Sequence, residues 1–100
     1  MIVKAEIPSS LKLQFKVLCT RKELTMNRVL EELINQWIRA DAPVSNFIPE
    51  LSEEDYEDIK GSIPESLKTQ FKVFCTQKKV TMRSALYNLI SQWVDAETDR

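Results

Sequence analysis

The chain has 100 residues, with 14 Lys and Arg, 15 Asp and Glu, one Gly, two Cys and no His. Without His there is no His general base, Ser-His-Asp triad or His-ligated metal; Gly61 alone cannot build a glycine-rich phosphate loop; and two Cys cannot complete a four-cysteine zinc site. No catalytic residue, metal or cofactor is therefore assigned, and the length fits one domain or two very small units sharing one core.

The first residues, MIVKAEI, carry Lys4 and Glu6 and are too short for a signal peptide. No apolar run approaches the roughly 18 residues of a membrane span. Two Cys without a leader point to a reducing cytoplasm.

Residues 2–7 alternate, which predicts a strand with Val3, Ala5 and Ile7 on one face and Ile2, Lys4 and Glu6 on the other. Pro8 ends it, because the residue before a proline is held in the extended region. Ser9 is expected to cap a first helix, with Ser10 as the alternative, running to about Lys22. Leu11, Phe15, Leu18 and Cys19 fall at helical spacing and form its buried stripe. Val17 lies off that stripe and is left for a second partner. After Glu23 and Leu24, Thr25 is expected to cap a second helix, without the reciprocal Glu or Gln of a capping box, since Arg28 stands three residues on. Val29, Leu30, Leu33, Ile34, Trp37 and Ile38 give that helix a broad apolar face.

Residues 42–59 form an acidic connection broken by Pro43 and Pro49. Ser52, Glu53, Glu54 and Asp55 read as a capped helix start, and Phe47, Ile48, Leu51 and Tyr56 are available to dock on the core. A second strand over 58–63 would put Ile59, Gly61 and Ile63 inward and Asp58, Lys60 and Ser62 outward, although Gly61 weakens it.

From Ile63 the grammar repeats. Residues 63–97 align with 7–41 without a gap at an offset of 56, with 20 identities in 35 positions. Leu67, Phe71, Phe74 and Cys75 repeat the first stripe, Val73 repeats Val17, and Thr81 repeats Thr25. Ala85, Leu86, Leu89, Ile90, Trp93 and Val94 repeat the broad face. Each unit is too small to bury a core alone, a problem that two copies facing each other across a pseudo-twofold axis would solve. The division is thus 1–41 for the first repeat, 42–61 for the linker and the start of the second strand, and 62–100 for the second repeat. Charge follows the same division, at +2, −5 and +2, so the net −1 conceals two mildly basic repeats around an acidic linker. Cys19 and Cys75 are expected to be small buried hydrophobes, and Trp37 and Trp93 to pack at helix ends.

Strand, Pro, helix, short turn with a Thr cap and longer helix together resemble the ribbon-helix-helix family. The residues that carry the likeness are Ile7-Pro8, Leu11, Phe15, Cys19, Thr25-Met26, Leu30, Leu33-Ile34 and Trp37, with their equals from Ile63-Pro64 to Trp93. The resemblance implies a mainly α fold with a short two-stranded antiparallel β-ribbon, here a tandem unit forming an intrachain pseudo-dimer. It implies a repressor-like DNA-binding regulator whose ribbon enters the major groove of double-stranded DNA. Carried over residue by residue, the base-reading positions are Ile2, Lys4, Glu6, Asp58, Lys60 and Ser62. The phosphate-contacting positions are Thr25, Met26, Asn27 and Arg28, and Thr81, Met82, Arg83 and Ser84. Glu6 and Asp58 depart from a basic reading face, and the usual Gly before the second helix is replaced by Glu23-Leu24 and Lys79-Val80. The alternative is a protein-interaction module or antitoxin-like protein on the same fold, with DNA binding lost or weakened and a protein partner held by the acidic linker or exposed helix faces. A second copy of the chain is a further partner to consider.

Overall fold

The computed structural model describes residues 2–48 and 55–98. In chain order the elements are β1 (Ile2–Pro8), α1 (Ser9–Arg21), α2 (Met26–Arg39), β2 (Tyr56–Ser62), α3 (Glu65–Gln77) and α4 (Met82–Thr98). The protein is mainly helical, with four helices and one two-stranded antiparallel sheet among the described residues. The helix expected from Ser52 falls largely on residues outside the described ones, as does Leu51.

The sheet follows from alternation. Val3, Ala5, Ile7 and Ile59 are buried beneath it, while Ile2, Lys4, Glu6 and Lys60 face outward. The second strand begins at Tyr56, two residues earlier than its sequence suggests, and Ile63 follows it as a buried core residue. Gly61 does not break the strand. It lies opposite Val3, and a Cβ there would sit 2.8 Å from Leu30 Cδ1. The missing side chain is what lets α2 approach the strand so closely.

Ser9 does not cap α1. The position before the helix is Pro8, whose side chain offers no hydrogen bond, and Pro64 stands likewise before α3. Ser9 is already helical, and both its backbone N–H and its Oγ donate to the Asp55 carbonyl, at 2.8 and 2.9 Å. This pins the start of α1 to the residue before β2. Thr25 and Thr81 do cap: their Oγ1 atoms accept from the N–H of Arg28 at 3.1 Å and of Ser84 at 2.9 Å.

The turns after α1 and α3 are built alike. Glu23 and Lys79 take left-handed backbone angles, φ 58° and 59°. Leu24 N–H then reaches the Cys19 carbonyl at 2.9 Å, and Val80 N–H the Cys75 carbonyl at 3.0 Å. These are Schellman closures, usually given to Gly. A side chain at such an angle costs about 1–2 kcal/mol. Lys79→Gly is therefore expected to raise stability by about 1 kcal/mol in urea unfolding monitored by circular dichroism; a loss of stability would refute the strain.

One core joins residues of both sequence repeats. Helix α1 packs on α4, and α2 on α3. Phe15 meets Trp93 edge-to-face at 5.4 Å, and Phe71 meets Trp37 at 5.6 Å. Lys22 pairs with Glu97 at 2.6 Å and Lys78 reaches Asp41 at 4.0 Å. In both sets each residue has its counterpart 56 positions away. Cys19 and Cys75 are buried free thiols; burial raises the thiol pKa of Cys19 and pushes that of Cys75 up to about 11.

The connection after α2 is held through Trp37 and Asn88. Trp37 Nε1 donates to the Pro43 carbonyl at 2.9 Å, and Phe47 stacks on the Trp37 ring at 5.9 Å. Asn88, 1% exposed, accepts from Ile48 N–H at 2.8 Å and donates to the carbonyls of Ile48 and Ser84. Sequence periodicity overlooked Asn88, because a polar residue among apolar neighbours carries no sign of the chain segment it will bind. Ile48 itself remains 53% exposed, so its backbone docks while its side chain does not.

Candidate nucleic-acid interface

The antiparallel register sets the outer face of the ribbon. Ile2 lies opposite Ser62, Lys4 opposite Lys60 and Glu6 opposite Asp58. All six expected reading positions therefore share one face, which projects away from the helices because the alternate residues are in the core. Lys4 and Lys60 occupy its centre. Lys4 Nζ pairs diagonally with Asp58 Oδ2 at 3.1 Å, with both side chains well exposed, so this bond is weak and open to competition. Lys60 has no ion pair among the described residues. It shares a shallow cleft with Lys12 and Lys16 of α1 and with Glu57 and Asp58 of its own strand, so that flank of the sheet carries both signs of charge.

The starts of α2 and α4 stand at opposite ends of the ribbon. Asn27 Oδ1 accepts from Ser62 N–H at 3.2 Å. At the other end Arg83 Nε donates to the Glu6 carbonyl at 3.2 Å, and its guanidinium lies 5.2 Å from the Tyr56 ring centre. First-turn N–H groups of a helix lack intrahelical acceptors and carry a partial positive charge, so each start can receive an anion beside the ribbon.

The eight expected phosphate positions divide by role. Thr25 and Thr81 are exposed caps, and Asn27, Arg28 and Arg83 are exposed. Met26 and Met82 are partly buried against the core, so their side chains fix the helix starts and only their backbones remain to meet a phosphate. Ser84 is partly buried. Arg28 reaches Glu32 at 3.7 Å, a long and exposed pair. Lys68 Nζ donates to the Ile2 carbonyl at 2.8 Å and ties α3 to the ribbon's end, a tertiary contact that helical spacing does not show.

Among the described residues, no helix is long and apolar enough to cross a membrane. Compared with known proteins, the chain matches no family model, no curated protein and no solved structure.

Proposed function

We propose that this protein is a DNA-binding transcriptional regulator, a tandem ribbon-helix-helix unit in which residues 7–41 and 63–97 form an intrachain pseudo-dimer. The observation that carries the reading is the exposed antiparallel ribbon with Lys4 opposite Lys60 at its centre and a helix start at each end. A two-stranded ribbon fits the major groove, where each base pair shows a distinct donor and acceptor pattern. Helix starts beside it would take flanking phosphates. The pseudo-dimer draws support from contacts that recur at the repeat offset: Phe15 with Trp93 and Phe71 with Trp37, and Lys22 with Glu97 and Lys78 with Asp41.

Lys60→Ala is expected to weaken binding to a preferred duplex about tenfold, within the range for loss of one good base contact, and to relax specificity at one position. Lys4→Ala should act similarly but less, because Asp58 already engages that ammonium. Thr25→Ala should weaken all duplexes alike, since phosphate contacts position rather than specify. Gel-shift titrations at two salt concentrations test this. Binding should fall steeply with salt; salt-insensitive binding would refute the phosphate contacts, and no shift with any duplex at low salt would remove the DNA reading.

The Lys4–Asp58 pair and the exposed apolar residues Leu13, Val17 and Val73 favour one second reading. In it the chain is a protein-interaction module or antitoxin-like protein, with its ribbon partly neutralised and helix faces meeting a protein partner.

A further inference from the structure

The two strands are not copies of each other where they face outward. Across the repeat offset Ile2 corresponds to Asp58, Glu6 to Ser62, and only Lys4 and Lys60 agree. The antiparallel register gathers these differences by end. Glu6 and Asp58 lie opposite each other at one end, and Ile2 and Ser62 at the other. The reading face thus has an acidic end, a basic centre and a neutral end. Identical chains related by a twofold axis would present the same chemistry at both ends, and their operators mirror that symmetry.

Resting on the DNA reading above, we infer that the ribbon recognises a non-palindromic site, with a cytosine at the Glu6 end, a guanine at the centre and a thymine at the Ile2 end. A carboxylate accepts from cytosine N4, a lysine donates to the guanine O6 and N7 acceptors, and an apolar side chain packs on the thymine methyl. The side chains are disposed for this division of labour. Lys4 is engaged by Asp58 in a weak, exposed pair, whereas Lys60 and Glu6 have no ion pair among the described residues, so Lys60 is the readier central donor and Glu6 the readier carboxylate. The two ends also differ in how their cations are held. Arg83 stands at the acidic end, bonded to the Glu6 carbonyl and lying over Tyr56, whereas at the Ile2 end Asn27 holds the strand, Arg28 beside it reaches Glu32, and Lys68 bonds the Ile2 carbonyl. A guanidinium beside the two carboxylates offsets their repulsion of the phosphates and lets that end approach the groove.

The test uses the full chain and a pool of duplexes randomised over about one helical turn, a window for a single ribbon, with bound duplexes recovered by gel shift over repeated rounds. The wild-type chain is expected to enrich an asymmetric site with cytosine at one end. Glu6→Gln should move the preference at that position alone to adenine, by about tenfold, because a glutamine amide matches the adenine N6 and N7 pair. The double variant I2D/E6S gives both strands the same outward residues and should enrich an inverted repeat instead. Glu6 and Ile2 are exposed, and unchanged circular dichroism spectra and melting curves verify that the variants fold. An inverted repeat enriched by the wild-type chain, or a Glu6→Gln shift at both ends or at neither, overturns the asymmetry while leaving DNA binding intact. No duplex enriched at low salt overturns the DNA reading and this inference together.

Discussion

Phe71→Ala is expected to lower the unfolding free energy by about 3–5 kcal/mol. Phe71 is fully buried and meets Trp37 edge-to-face, and Phe47 stacks on the same indole. Removing the ring costs its transfer free energy, leaves a cavity and breaks an aromatic pair worth about 0.5–1.5 kcal/mol beyond its area. Small domains hold only about 5–15 kcal/mol in total, so the variant loses a large share of its stability. A thermal melt should show a fall on the order of 20 °C. Phe15→Ala should cost somewhat less, because its partner Trp93 is only partly buried where Trp37 is 4% exposed. Urea unfolding of both variants decides it. A loss under 1 kcal/mol for Phe71→Ala would mean that α2 and α3 are not held together through this ring.

Gly61→Val is expected to destabilise the fold by about 1–3 kcal/mol through overpacking. The backbone angle is not the cause, since Gly61 has no positive φ. The obstacle is Leu30, whose Cδ1 would lie 2.8 Å from the new Cβ and whose side chain is 1% exposed and cannot swing clear. Asn27 Oδ1 is the next neighbour at 3.4 Å, and it holds the Ser62 N–H. The substitution should therefore also displace the start of α2 from its end of the ribbon. The expected readout is a lower urea midpoint together with weaker duplex binding, whereas Gly61→Ala should fall between the variant and wild type. A Gly61→Val protein as stable as wild type would show that α2 does not pack as closely on the strand as these distances require.

Much of this fold is legible in the sequence. The strand-helix-helix order of each repeat follows from the alternation of residues 2–7 and the helical spacing of Leu11, Phe15, Leu18 and Cys19. The Thr25 and Thr81 caps could be read directly, because a side chain bonding the backbone three residues on is a local interaction. The Ser9 cap could not. Pro8 stands in the cap position and Ser9 bonds instead to Asp55, 46 residues away, a partner that local spacing does not reveal. The turns lacked their expected Gly, yet Glu23 and Lys79 take the same left-handed angle, because the closing bonds of Leu24 and Val80 and the burial of those side chains outweigh the strain.

The sequence alone determined the repeat, the helix faces, the inward and outward alternation of each strand and the segregation of acidic charge to the linker. These depend on residue type and on periods of two and 3.6, which the chain carries locally. Only the tertiary structure decided that the two strands pair, that Lys4 faces Lys60, and that Glu6 and Asp58 fall together at one end. Register is a relation between segments more than fifty residues apart, set by which inward rows fill the core beneath Val3, Ala5, Ile7 and Ile59. Gly61, which weakened the second strand on propensity, is the residue that lets α2 close against it, because backbone preference yields where close packing of a buried leucine is at stake.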